Sequence, residues 1–333
     1  MKTFAFLYQP ANIKQIKYFW PVTGILPCSF LKTFLKNKPF KTIQLKKIKS
    51  ATGAEIEGSF IINPMLPDDV FEAEEESLFS RIVSAGKIAE KAKLGILGLG
   101  GYLSILADKK PMIHKHVRTA VTSGSTFTAW TVFEAVFKTA MREKIDLSRT
   151  TVTIYNPANA VGSLCARKFA SYAKRIILTG GLYQKLSALK DSIGPETKCV
   201  IEIEEDASKA AKKADIVIHL AVGPSTMIDS GDIKPQALVC DLSELKTIAL
   251  KARSRKDLVL VDCGSIRLPL GQKLGLHMGI PDNMVCPYIA ETMLLAFENK
   301  IVNYSLGENI NLDKLEEIAN MAVKHGFEVH VPD

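Results

Sequence analysis

The chain has 333 residues, of which 47% are hydrophobic and 23% charged, and its formal net charge is +8 at neutral pH. This composition is typical of a globular protein of about two domains and excludes a disordered or fibrous chain. No apolar run reaches membrane-spanning length, and we expect a cytoplasmic protein without a signal peptide. The 6 cysteines include no CxxC pair, so neither a disulfide framework nor a metal site is predicted.

Residues 1–125 are predicted to form an N-terminal α/β domain. The patterns indicate a strand over Thr3–Tyr8, a helix over Ile13–Trp20, a β-hairpin from Lys41–Ile48 and Glu55–Ile62, and one or two helices over Val70–Lys93. Between Lys32 and Lys49, 7 lysines occur without an acidic residue. This basic patch suits an acidic carrier protein, a phosphorylated ligand or an anionic membrane surface, or it is an ordinary solvated face. Sparse arginines and aromatics argue against nucleic-acid recognition.

Two turns of small residues end strands of this first domain. One follows the apolar run that begins at Leu94, and the other lies before a helix predicted over Thr126–Glu143. Backbone amides and hydroxyls at the start of a helix can bind an anion or a carbonyl oxygen. The candidate substrate-binding residues are therefore Gly100, Gly101, Tyr102, Ser123, Gly124, Ser125 and Thr126. The alternative is close packing of a turn and ordinary helix capping.

Residues 126–285 are predicted to form a second domain with a parallel sheet. Its strands are predicted at 151–155, 175–179, 198–203, 215–220, 237–241 and 258–262, and helical patterns separate most of them. Such alternation predicts a doubly wound, Rossmann-like α/β domain. Strand, turn of small residues and helix follow one another from Thr151 to Ala170, as in the first unit of a dinucleotide-binding fold.

The turn after Tyr155 differs from the usual glycine-rich turn. Asn156, Asn159 and Gly162 occupy the three places where glycines normally stand. Asparagine tolerates the left-handed conformation, but its side chain takes space near a pyrophosphate. The second strand ends at Thr179, with neither an acid nor an arginine nearby to select NAD or NADP. The candidate cofactor-binding residues are Asn156, Asn159, Ala160, Val161, Gly162, Thr179, Gly181, Ala221 and Val222.

Residues 286–333 are predicted to form C-terminal helices over Ala290–Glu298 and Asn311–His325. These helices are expected to pack back across the domain junction. A loop rich in glycine and proline delivers Cys286 and Tyr288 to the head of the first of these helices. This junction of loop and helix is the best remaining place for chemistry, so Cys286 and Tyr288 are the candidates for catalysis. A thiolate near a helix N-terminus is stabilised and more nucleophilic, which favours Cys286. The alternative for Cys286 is an inert buried thiol.

Five segments together resemble the long-chain acyl-carrier-protein reductases of cyanobacteria and their bacterial relatives. They are Ser50–Gly58, Gly98–Ile105, Thr122–Ala129, Ala290–Glu298 and His325–Phe327, in the family's order and spacing. The resemblance implies an acyl-binding domain, an NADPH-binding domain and a helical return. It implies that a cysteine takes the acyl group from a carrier-protein or coenzyme A thioester, and that NADPH, or NADH, releases a fatty aldehyde. An acidic acyl carrier protein would suit the basic patch.

The chain departs from the family pattern at three places. The family's nucleophilic cysteine corresponds to Tyr288, and Cys286 stands two residues earlier. Two glycines of the phosphate turn correspond to Asn156 and Asn159, and an arginine after the second strand corresponds to Gly181. Three hypotheses stay open: an acyl-thioester reductase with Cys286 as nucleophile, a relative that binds an acyl group or its carrier without reducing it, and a small-molecule dehydrogenase in which Tyr288 or a lysine assists proton transfer.

Overall fold

The protein is described from a computed structural model, which covers residues 2–36, 38–109, 113, 115–194, 197–220, 228–242, 247–307 and 310–332. The strands are β1 (Thr3–Tyr8), β2 (Lys41–Gln44), β3 (Ile48–Lys49), β4 (Glu55–Ile62), β5 (Ile96–Leu99), β6 (Ala120–Thr122), β7 (Thr151–Tyr155), β8 (Arg175–Thr179), β9 (Val200–Ile203), β10 (Ile216–His219), β11 (Leu238–Asp241), β12 (Val259–Val261), β13 (Ile266–Arg267), β14 (Met284–Val285) and β15 (Glu328–Val329).

The helices alternate with the strands along most of the chain. They are α1 (Ile13–Phe19), α2 (Cys28–Lys36), α3 (Pro67–Glu72), α4 (Glu75–Lys91), α5 (Tyr102–Lys109), α6 (Ser125–Arg142), α7 (Ala160–Ala170), α8 (Tyr183–Ile193), α9 (Ala207–Lys213), α10 (Thr247–Ala252), α11 (Pro287–Phe297) and α12 (Leu312–His325). No helix within the described residues is long and apolar enough to span a membrane.

The chain divides into two compact units. The first comprises Met1–Phe127, Ser265–Asn309 and Glu317–Glu328, and the second comprises the remaining segments, chiefly Thr128–Gly264. Residues 265–285, which the sequence pattern assigned to the second domain, therefore group with the first. One reason is Gln272, whose side chain accepts from the Lys49 amide at 2.8 Å and donates to the Lys49 carbonyl at 2.5 Å.

The first unit has three layers around a sheet of order β2-β4-β1-β5-β6. Strands β4, β5 and β6 continue a parallel ladder from β1, whereas β2 and β3 pair antiparallel with β4. Alternate residues of β1 face opposite layers, because strand side chains have a period of two. Ala5 and Leu7 pack in a core with residues of α4 and α5 such as Leu78 and Leu103.

Helix α11 covers the other face of this sheet. Ten of its 11 residues are buried, including Glu291, the helix's only charged residue. A helix that is apolar all round belongs in a core. Its close approach depends on glycines of the sheet: a Cβ atom at Gly98 would overlap the Thr292 hydroxyl.

The second unit contains a six-stranded sheet of order β12-β11-β10-β7-β8-β9, in which every neighbouring pair is parallel. Counted from β7, this is the order 3-2-1-4-5-6 of a Rossmann-type domain. All six predicted strands are present, each within two residues of the expected bounds. The predicted α/β fold class is therefore confirmed.

Candidate active site

Cys286 forms the N-cap of α11, as the sequence pattern placed it. Its backbone is extended, and its carbonyl oxygen accepts hydrogen bonds from the amides of Ile289 and Ala290 at 3.0 and 3.1 Å. Pro287 occupies the first helical position, where a missing N–H costs nothing. The Cys286 side chain is half-buried. The N-terminus of a helix carries a partial positive charge, and Cys286 stands at this end of α11.

Tyr8 lies within electrostatic reach of Cys286. The Tyr8 hydroxyl is buried and donates to Gln15 Oε1 at 2.9 Å. Burial raises the pKa of Tyr8 well above its usual value, and negative charge at Cys286 raises it further, against a smaller opposing effect of the Gln15 contact. The phenol therefore stays neutral beside the thiol.

Tyr288, in the place of the family nucleophile, packs on the sheet. Its ring stacks on Phe6 with 5.7 Å between centroids and 13° between planes. A Cβ atom at Gly100 would lie 2.7 Å from the ring, and one at Gly124 would overlap Tyr288 Cα and Cβ. Gly124 also has a φ of +77°, which favours glycine. Gly100 and Gly124, both candidate substrate-binding residues, thus allow the first turn of α11 to pack closely on the sheet.

The other residues of the first small-residue turn lie away from this contact. Gly101 has a φ of +58°, and Tyr102 begins α5 with its ring 5.5 Å from that of Phe71. Gly101 thus supplies the turn between β5 and α5, while the Tyr102 ring packs against the segment of α3.

Glu291 caps the N-terminus of α6. Its side chain is completely buried, and Oε2 accepts from the Phe127 amide at 2.8 Å while Oε1 accepts from the Thr122 hydroxyl. Burial raises the pKa of Glu291, and these hydrogen bonds oppose the shift. The anion site expected at this helix start is therefore filled by the protein's own carboxyl group. Its position in an otherwise apolar helix was a signal that the sequence analysis did not use.

A chain of hydroxyl groups extends from the same turn. Ser123 Oγ donates to Ser125 Oγ at 2.9 Å, and Ser125 Oγ donates to Asp108 Oδ2 at 2.8 Å. Ser305 Oγ accepts from the Thr126 amide at 3.2 Å and donates to Thr126 Oγ1 at 2.6 Å. Ser123 Oγ also contacts the Ser305 carbonyl oxygen, so three candidate residues, Ser123, Ser125 and Thr126, join one network. Asp108 and Ser305 were missed, because nothing in their local sequence distinguishes them.

Asp108 is the titratable end of this network. Burial raises its pKa to about 7, and hydrogen bonds from Ser125 and Ser123 oppose this, while the negative charge of Glu291 adds to it. The carboxyl group can therefore hold or release a proton near neutral pH.

In the second unit, the turn after β7 is held by its two asparagines. Asn156 adopts a φ of +58°, and its Nδ2 donates to the Leu220 carbonyl at 3.2 Å. Asn159 is the N-cap of α7: its Oδ1 accepts from the Gly162 amide, and its Nδ2 donates to the Asn156 carbonyl, both at 2.8 Å. The left-handed turn predicted for asparagine is present, and both side chains bind the protein's own backbone.

Gly162 packs the helix on the turn. A Cβ atom there would lie 2.6 Å from Pro157 Cα, so the glycine allows the helix to approach the turn at Pro157. Ala160 and Val161 form the first positions of α7. The amides of a first helical turn have no partner within their own helix, so they remain suited to an anion.

The ends of the neighbouring strands complete this region. Thr179 is completely buried, and its hydroxyl has no hydrogen-bond partner within the described part of the chain. Gly181 has a φ of +123° and open space where a Cβ atom would stand. Ala221 and Val222 lie outside the described residues. A buried hydroxyl without a partner at the end of a strand suits a polar ligand.

A buried group that the sequence analysis missed lies at the carboxyl ends of β7, β10 and β11. Tyr155 and His219 stack with 5.0 Å between ring centroids, and His219 Nδ1 lies 3.0 Å from Asp241 Oδ1. Asp241 Oδ2 accepts from the Ile248 amide at 3.0 Å. The three side chains form a polar floor at the edge of the sheet where this fold binds ligands.

No protein-family model matches the chain. The chain is 25% identical over 311 residues to a long-chain acyl-(acyl-carrier-protein) reductase of Synechococcus elongatus, and the match covers 89% of each chain. It is 26% identical over 298 residues to the aminotransferase PigE of a Serratia species, covering 85% of this chain but 34% of that protein, so the chain spans about a third of its length.

Among solved structures, a quinate dehydrogenase of Corynebacterium glutamicum in complex with NAD gives a TM-score of 0.44 at 10% identity, over 96% of this chain and 98% of that one. The match to the acyl-carrier-protein reductase spans most of both chains at 25% identity, so it is a distant likeness. That protein bears the name of the family that the five segments resemble.

Proposed function

We propose that the protein is an oxidoreductase that uses a nicotinamide dinucleotide, and that it reduces acyl thioesters of a carrier protein or coenzyme A to fatty aldehydes in the cytoplasm. The observation that carries this proposal is the half-buried Cys286 thiol at the N-terminus of an 11-residue helix. The distant likeness over 89% of an acyl-carrier-protein reductase supports the substrate class.

Cys286 would take the acyl group by thioester exchange. Its Sγ forms a bond with the acyl carbonyl carbon, the bond from that carbon to the carrier sulfur breaks, and the proton of the Cys286 thiol passes to the departing carrier thiolate. Tyr8 is a polar side chain within electrostatic reach of Cys286. It keeps its proton and its hydrogen bond to Gln15, so it adds no negative charge near the sulfur.

The second unit has residues that fit a dinucleotide. The first turn of α7, with Ala160 and Val161, would hold phosphate. At the end of β8, the Thr179 hydroxyl, which has no hydrogen-bond partner within the described residues, and the open space at Gly181 would receive a ribose. When bound, NADPH or NADH supplies the hydride. We propose NADPH on the family resemblance, with NADH as the alternative.

A second candidate function is binding of an acyl group or its carrier without reduction. The observation that favours it is Tyr288, whose ring is stacked on Phe6 where the family has its nucleophile. The side chains of Asn156 and Asn159 in the turn after β7 favour it as well, since they replace two glycines.

The test is titration of the purified protein with NADPH and NADH, followed by aldehyde analysis with acyl-coenzyme A and acyl carrier protein. We expect saturable nucleotide binding and aldehyde formation that Cys286→Ser abolishes. The matched control is Cys199→Ser, since Cys199 is also half-buried but lies in the second unit. Absence of binding at millimolar nucleotide would exclude reduction and leave the acyl-binding function. Aldehyde formation by Cys286→Ser would exclude Cys286 as the nucleophile.

A further inference from the structure

The first 54 residues carry an unusual charge. They contain 10 lysines, no arginine and no acidic residue, and the first arginine of the chain is Arg81. This segment is therefore more positive than the whole chain, whose net charge is +8. Part of the charge is neutralised at its far end, because Lys47 and Lys49 form ion pairs with Glu55 at 3.6 and 3.0 Å.

Helix α1 turns its lysines outward. Its buried side consists of Gln15, Ile16 and Phe19, so Lys14, Lys17 and Tyr18 share the exposed side. These positions are three and four residues apart, which places them on one face of the helix. The Asn12 side chain caps the helix and fixes where this face begins.

Three large exposed apolar side chains follow α1 along the chain. Val22 is 49% exposed, Ile25 84% and Phe30 63%. They belong to the 3₁₀ turn after α1, to the residue that follows it and to the first turn of α2. The exposed side chains of Lys14, Lys17, Tyr18, Val22, Ile25 and Phe30 are called the α1–α2 surface below. Three large exposed apolar side chains this close in sequence to the exposed lysines of α1 favour an interaction site.

We propose that the α1–α2 surface docks on an anionic lipid bilayer. Exposed aliphatic and aromatic groups enter the boundary between headgroups and acyl chains, while lysines beside them attract anionic headgroups. Ile25 and Phe30 supply the apolar contact, and Lys14 and Lys17 supply the charge. The combination explains why Ile25, the most exposed large apolar side chain among the residues that the structure describes, occurs in this basic segment.

An acidic protein would be attracted by the same lysines, but two features favour the bilayer. Protein interfaces prefer arginine to lysine, and arginine is absent from the segment. An isoleucine at 84% exposure also suits insertion into a fluid phase better than a shaped pocket, because a bilayer needs no complementary surface. The proposal does not depend on the activity proposed above.

The test is co-sedimentation of the full chain with vesicles of phosphatidylcholine alone or mixed with phosphatidylglycerol. We expect binding to the mixed vesicles that weakens as salt rises. Lys14→Gln with Lys17→Gln should weaken it about 30-fold, from the usual attraction of each lysine to an anionic surface. Ile25→Ser with Phe30→Ser should weaken it by at least about 10-fold, from the apolar groups withdrawn from the boundary.

The controls match each change in type and exposure. Lys87→Gln with Lys91→Gln changes two exposed lysines of α4, and Val323→Ser changes a 74% exposed side chain of α12. These variants should bind as the unaltered protein does. Equal loss in surface and control variants, equal binding to neutral vesicles, or binding only to an acidic carrier protein would each overturn the proposal.

Discussion

Replacing Gly124 by alanine tests the packing of α11 on the first unit. The residue has a φ of +77°, and a Cβ atom there would overlap Cα and Cβ of Tyr288. The backbone conformation alone costs a residue with a side chain about 1–2 kcal/mol. The overlap adds about 1–3 kcal/mol, because the helix backbone must shift. We expect Gly124→Ala to lower the free energy of unfolding of the first unit by about 2–5 kcal/mol.

Gly53→Ala is the matched control. Gly53 has a φ of +80° but nothing within 4 Å of a Cβ atom, so the substitution carries the backbone cost alone. The difference between the two variants, about 1–3 kcal/mol, measures the overlap with Tyr288.

Urea unfolding can follow each unit separately. Each of the 2 tryptophans belongs to a different unit, Trp20 to the first and Trp130 to the second. In a Trp130→Phe background, fluorescence therefore follows the first unit. If Gly124→Ala and Gly53→Ala lower the unfolding midpoint equally, the helix does not approach Gly124 as described.

Three further predictions use the same fluorescence assay on the first unit. Gly100→Ala should lower the free energy of unfolding, and adding Tyr288→Ala should recover part of that loss, because the Tyr288 ring is the group nearest to the new Cβ atom. Additive effects of the two substitutions would contradict the contact. Glu291→Ala should lower the free energy of unfolding by about 1–3 kcal/mol for each of the two donors that it leaves unpaired, the Phe127 amide and the Thr122 hydroxyl. Glu291→Gln should lower it less, because the glutamine side chain keeps one oxygen. Equal losses in the two variants would contradict the capping role. Asp108 has a pKa of about 7 in the folded state and near 4 when unfolded, so the folded state binds more protons between these pH values. The free energy of unfolding should therefore fall as the pH rises through this window, by at most about 4 kcal/mol. An unchanged pH dependence in Asp108→Asn would contradict this.

The parallel sheet of the second unit was predictable from local sequence. Its strands are short runs rich in β-branched residues between helical patterns, and burial on both faces makes such runs recognisable. The turn at Asn156 was predictable for a similar reason, since the left-handed conformation is a property of one residue and its backbone.

The contacts that build the first unit were not predictable in this way. Glu291 meets Thr122 and Phe127 across more than 160 residues of chain. Residues 98–126 form a pattern that fits either a ligand or a neighbouring helix, and only the fold shows that Gly100 and Gly124 meet Tyr288. Local sequence shows that a backbone approaches something closely, but it does not say what it approaches.

Capture of an acyl group by Cys286 is the most direct test of the proposed activity. Intact mass of the protein after incubation with acyl-coenzyme A, without nucleotide, shows whether a thioester forms, and peptide mapping locates it. We expect one acyl group on Cys286, none in Cys286→Ser, and an unchanged result in Cys199→Ser. An acyl group on another residue, or none on the wild-type protein, would contradict Cys286 as the acyl acceptor.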